Sequence, residues 1–97
     1  MKDQVKIGQA GTLESSDVLI FVRFSPQQRG IKIELESPSE KCFGKIITKS
    51  IRDTLRLLGV ENIYIKAHDR GALDCTISAR VETAVKRAQK NKGEQEV

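Results

Sequence analysis

The sequence predicts a small single-domain α+β sandwich, an antiparallel sheet with two helices packed on one of its faces. Three patterns lead there. The run "DVLIFVRF" (residues 17–24) is apolar and rich in β-branched and aromatic side chains, as buried strands are. "IKIELE" (residues 31–36) alternates apolar and charged residues with the period of two of a half-buried strand. In "SPSEKCFGKIITKSIRDTLRLLG" (residues 37–59), Phe43, Ile47, Ile51, Leu55 and Leu58 recur at helical spacing and form one apolar stripe.

The elements follow in order. A short extended piece covers residues 5–13, interrupted by Gly8 and Gly11. After the strand at 17–24, "SPQQRG" (residues 25–30) has the Pro and Gly of a connecting turn, so strands 17–24 and 31–36 are expected to pair antiparallel. Ile31, Ile33 and Leu35 point inward, and Lys32, Glu34 and Glu36 outward. The long helix has Ser39 as its N-cap, and Gly59 stands where a C′ glycine belongs. "ENIYIKA" (residues 61–67) sets Ile63 and Ile65 against Asn62, Tyr64 and Lys66, and reads as a strand. "HDRGA" (residues 68–72) is a turn signal, with His68 facing solvent. "LDCTIS" (residues 73–78) is either a return strand with Leu73, Cys75 and Ile77 on one face or the first turns of the last helix. Periodicity does not decide between them. "ARVETAVKRAQK" (residues 79–90) is helical, with Val81, Ala84, Val85 and Ala88 inward. The domain is expected over residues 1–90. Residues 91–97 form a polar, frayed tail whose deletion should cost less than ~0.5 kcal/mol.

Composition narrows the function classes. Of 97 residues, 38% are apolar and 31% charged, which fits a soluble globule rather than a disordered chain. Phe21, Phe24, Phe43 and Tyr64 are the only aromatics, a thin basis for a stacking platform. A net charge of +4 and a pI near 9.3 permit an anionic partner without requiring one. Lys41, Lys45, Lys49, Arg52 and Arg56 lie opposite the apolar stripe in a row read as uninterrupted by carboxylates. They make either a solvated face or a docking surface for an acidic partner. No apolar run approaches the ~20 residues of a membrane span, and "MKDQVKIGQA" lacks a signal-peptide core. Neither membrane nor nucleic acid is an expected partner, and the expected compartment is the cytoplasm. Cys42 and Cys75 lack CxxC spacing and read as small buried thiols.

Chemistry-bearing constellations are missing. His68 is the only histidine, and there is no HExxH, CxxC or glycine-rich phosphate cradle, so no metal site is expected. Glu14 and Asp17 flank a surface turn rather than a pocket that could shift a pKa. The chain is not expected to be an enzyme by itself. What remains is the double serine in "GTLESSD" (residues 11–17). Ser15 and Ser16 either satisfy local backbone groups or offer an exposed hydroxyl for covalent attachment by another enzyme. Attachment needs reach and accessibility, not a neighbouring base.

"AGTLESSD" together with "DRGALDCTISARVETAVKRA" closely resembles the acyl carrier proteins of citrate lyase, the gamma subunits of that complex, over nearly the whole chain. The resemblance implies that Ser15 carries 2'-(5''-phosphoribosyl)-3'-dephospho-CoA through a phosphodiester. The position after it is commonly Gly or Ser in that family, and here it is Ser16. Further implications are an alpha subunit exchanging acetyl for citryl on the arm and a beta subunit splitting the citryl thioester into oxaloacetate and acetyl thioester. A holo-acyl-carrier-protein synthase and an acetyl ligase are the other implied partners. Because the thiol belongs to the cofactor, neither cysteine is needed. The acidic, all-helical fatty-acid carriers with an Asp-Ser-Leu motif are a different family. Two other readings stay open: a carrier subunit of malonate decarboxylase, against which "GALDC" argues, and a small basic RNA-binding module using residues 41–56.

Overall fold

A computed structural model describes residues 5–38 and 40–90, without the side chains of residues 40–42. The elements are β1 (Lys6–Gly11), β2 (Val18–Phe24), β3 (Ile31–Glu36), α1 (Glu40–Leu57), β4 (Ile63–Asp69) and α2 (Asp74–Lys90). They build one four-stranded sheet in the order β1-β2-β4-β3, with both helices covering the same face. The α+β class and the one-sided helix layer are as the sequence predicts.

The strand pairing is not. β2 and β3 do not form a hairpin, because β4 lies between them, antiparallel to β2 and parallel to β3. The sheet is therefore mixed rather than antiparallel throughout. The cause is α1. It returns the chain to the end of the sheet where β3 began, so the next strand enters parallel to β3 as in any strand–helix–strand crossover. Register aligns the buried apolar residues on the helix side: Ile33 pairs with Ile65, and Ile65 in turn with Val22. Ile63, Ile65 and Ala67 of the inner strand β4 are fully buried, whereas Ile31, Ile33 and Leu35 of the edge strand β3 are half-buried.

Helix α1 buries Ile47, Ile51 and Leu55 but leaves Phe43 and Ile46 exposed near its start. Its end is a Schellman motif. Gly59 takes φ +73°, its N–H donates to Arg56 O at 3.1 Å, and Val60 N–H donates to Leu55 O at 2.9 Å. Val60 and Leu55 are both buried and complete the motif's apolar contact. Ser39, the expected N-cap, lies outside the described residues, as does the tail 91–97.

Segment 73–78 resolves as helix, since α2 begins at Asp74. A carboxylate in the first turn favours that start through the helix dipole. Ile77, Val81, Ala84, Val85 and Ala88 face the sheet. Cys75 is exposed, not buried as expected. In a strand it would share a face with Ile77, but two helical residues are about 200° apart. The side chain of Cys42 lies outside the described residues.

Candidate functional site

The double serine sits in a loop between β1 and β2 whose shape is fixed from both ends. β1 stops at Gly11, which has φ +97° and would drive a Cβ into Val18 O. Thr12 Oγ1 then donates to Asp17 Oδ2 at 2.7 Å and accepts from Glu14 N–H at 3.1 Å. Asp17 N–H donates to Glu14 O at 3.1 Å, which closes a β-turn with Ser15 and Ser16 at its centre. Ser16 has φ +66°, the one positive φ of a non-glycine among the described residues. That is the third position of a type II turn, where glycine fits without cost. The turn is also clamped to the segment after β4: Ser16 N–H donates to Arg70 O at 2.8 Å, and Arg70 N–H donates to Asp17 O at 2.9 Å.

Asp17 is the hub of this loop. Besides Thr12, it accepts Arg80 Nε and Nη2 from α2 at 3.1 and 3.2 Å, and Val18 N–H at 2.7 Å. The Thr12 hydroxyl, then the Arg80 guanidinium, then the Val18 amide hold its carboxyl at about 2, down from 3.8. A carboxyl depressed in the folded state stabilises the fold above its ordinary pKa and loses that contribution as pH falls through the folded value. Urea unfolding at a series of pH values should therefore show stability declining between 3.8 and about 2. In Asp17→Asn that acid-side decline should flatten. An equal slope in both proteins would remove Asp17 from the account.

Ser15 is exposed, and neither serine hydroxyl has a hydrogen-bond partner among the described residues. The local backbone groups are satisfied by Thr12 and Asp17 instead. The bland role that the sequence allows for the serines is thus filled by their neighbours. Beside Ser15 runs an open groove of about 710 Å³, lined by Leu13, Glu36, Ser37, Pro38, His68 and Arg70, with Asp69 at its floor. His68 lies on β4 rather than in a turn, half-buried, with Nδ1 2.8 Å from Glu36 Oε1. It shares the groove with Ser15 but makes no hydrogen bond to it. Asp69 is buried and accepts Ser37 Oγ at 2.9 Å and Ala72 N–H at 3.0 Å. A second hollow of about 290 Å³ shares Asp69 with this groove and is walled by the exposed Phe43 and Ile46 with Ala72 and Ile77.

The basic row on α1 is interrupted. Asp53 stands within it, 2.7 Å from Lys49 Nζ and 3.6 Å from Arg56 Nη1, one helical turn away on either side. The Lys49 hydrogen bond lowers the Asp53 carboxyl from its usual range. The side chain of Lys41 lies outside the described residues. On the open sheet face, Tyr64 OH donates to Glu34 Oε1 at 2.8 Å, and the Arg23 guanidinium sits 4.7 Å from the ring centroid. The ring is thus engaged at its hydroxyl and by the guanidinium. No group of three or more His, Cys, Asp or Glu residues among the described ones could hold a metal ion. No helix among them is long and apolar enough to cross a membrane.

Sequence reasoning placed the double serine in a surface turn, where the structure has it. It missed Arg70, Arg80 and the central role of Asp17, because contacts between residues over 50 positions apart leave no local pattern.

Comparison with known proteins adds the following. An acyl carrier family model described as "Malonate decarboxylase delta subunit (MdcD)" matches residues 5–88. The chain is 52% identical over 85 residues to a citrate lyase acyl carrier protein of Halothermothrix orenii, covering 88% of each chain. It is 53% identical over 83 residues to the one from Lacticaseibacillus casei, covering 86% of this chain and 80% of the relative. With the one from Streptococcus mutans it shares 54% over 79 residues, 81% of this chain and 76% of the relative.

Proposed function

Because the chain belongs to the citrate lyase acyl carrier protein family, we propose that it is the carrier subunit of a citrate lyase complex, with Ser15 as the covalent attachment point of its prosthetic arm. The observation that carries this reading is the Ser15 hydroxyl, exposed and unbonded at the tip of a turn that is itself fixed by Asp17 and Arg70. The proposed group is 2'-(5''-phosphoribosyl)-3'-dephospho-CoA, joined to Ser15 Oγ through a phosphodiester. When bound, it supplies the thiol on which acetyl and citryl groups are carried while citrate is cleaved to oxaloacetate and acetate. The residues fit such a group: a free hydroxyl, an open groove next to it, and a cation in that groove.

What the chain itself contributes is presentation. The rigid turn holds the attachment oxygen away from the globule, and a tether there keeps the carried thiol at high local concentration for its partners. The proposed partners are an acyl-exchanging alpha subunit, a citryl-cleaving beta subunit, the synthase that attaches the arm and an acetyl ligase, all in the cytoplasm. The exposed Phe43 and Ile46 beside the groove suit contact with such subunits. Malonate decarboxylase is the second reading, favoured by the description of the matching family model.

The test is an intact mass of the protein made together with the attaching enzymes, followed by peptide mapping. The expected result is one cofactor-sized increment on Ser15. An unmodified protein under those conditions, or an increment on Ser16, would overturn the reading. Reconstitution with citrate against malonate as substrate then separates the two complexes.

A further inference from the structure

The groove beside Ser15 contains four ionisable side chains, and three are already engaged. Glu36 and His68 bond each other, and Asp69 is buried under Ser37 and Ala72. Arg70 alone has no side-chain partner among the described residues. Its position is nevertheless fixed. Its N–H and its carbonyl both bond the Ser16–Asp17 turn, so a cation on a long side chain is anchored within one residue of the attachment serine. An exposed guanidinium with no carboxylate to hold is a ready site for a phosphate, which it binds in a planar two-point contact.

We infer that Arg70 binds the phosphodiester nearest Ser15 and seats the proximal part of the arm in the groove of Leu13, Pro38 and His68, rather than leaving it free from its first bond. This rests on Ser15 as the attachment point and goes beyond it. The arm's root would then leave the protein in a set direction, toward the hollow of Phe43 and Ile46, while its far end stays mobile. The chemistry recognised is a phosphate diester bearing one negative charge, with apolar walls for the adjoining sugar.

Amide NMR spectra of the unloaded and loaded full-length protein test this without reference to activity. In the wild type, loading should shift the amides of Leu13, His68 and Arg70 as well as those of the turn. In Arg70→Gln, the shifts at Leu13 and His68 should fall by half or more while those at Ser15 and Ser16 remain. Arg70→Lys should keep most of them, because a charge remains in place, and added salt should weaken them further. The side chain lies outside the core, so both variants should show wild-type spectra when unloaded. Loading shifts confined to the turn, or a pattern unchanged in Arg70→Gln, would overturn the inference and leave the attachment reading intact. A loaded mass located away from Ser15 would overturn both.

Discussion

Ser15→Ala is expected to abolish citrate cleavage by the reassembled complex while leaving the carrier folded. The substitution removes one exposed oxygen that bonds nothing in the chain, so its effect on stability should stay within the ~0.5 kcal/mol usual for surface changes. Function should nonetheless be lost outright, because no thiol can be tethered where the hydroxyl is missing. The cofactor-sized mass increment should vanish with the activity. Ser16→Ala keeps the Ser15 hydroxyl and should still be loaded. Ser16→Gly should be loaded as well, and should stabilise the protein by about 1 kcal/mol, since a left-handed φ costs a Cβ-bearing residue that much. Retained activity in Ser15→Ala, or loading lost in Ser16→Ala with the fold intact, would move the attachment point to Ser16.

The contrast between the two serines comes from backbone geometry that the sequence only hints at. "GTLESSD" declares a turn, and the family resemblance selects Ser15. The φ of Ser16 and its bond to Arg70 O appear only once β4 is in place beside β2. Local patterns are legible where local forces decide them. The alternation of Ile31, Ile33 and Leu35, the glycine cap at Gly59, and the inward face of Val81, Ala84, Val85 and Ala88 all depend on neighbours within a few residues. The errors lie where distance along the chain matters. A short turn at residues 25–30 suggests a hairpin, but the pairing of β3 was set by an 18-residue helix that lies beyond it. A strand–helix–strand succession was visible in the sequence and carried the parallel pairing as a consequence. The segment "LDCTIS" stayed ambiguous because Leu73, Cys75 and Ile77 satisfy a period of two. The burial of Ile77 with Cys75 exposed breaks that period and fits a helix. In the sequence Asp17 is one of two carboxylates flanking a surface turn, without a pocket. It is instead the joint at which Thr12, Arg80 and the turn meet.

Gly8→Val should be among the most destabilising single changes in the molecule, and the loss should reach the attachment turn. Gly8 faces α2 and lies close against its backbone. A Cβ there would collide with Ala84 O and come within 2.6 Å of Ala88 N and 3.0 Å of Ala88 Cβ. Two of those three obstacles are helix backbone, which cannot rotate aside, so either β1 or α2 must shift. Valine's better strand propensity is worth up to ~1 kcal/mol in its favour. Overpacking costs about 1–3 kcal/mol even where side chains can adjust, and here they cannot. Sterics should win, lowering the unfolding temperature by several degrees at about 4–8 °C per kcal/mol in a domain of this size. The shift should also be felt in the loop, because Arg80, which holds Asp17, is on the displaced helix. Gly8→Ala should show a smaller loss of the same kind. Adding Ala88→Gly should not rescue it, since that removes only the methyl contact and leaves the backbone collisions. Unfolding by urea measures the first effect, and the amide shifts of Ser16 and Asp17 measure the second. Wild-type stability in Gly8→Val, or full rescue by Ala88→Gly, would show that the helix can move off the sheet at little cost and that α2 does not fix the turn.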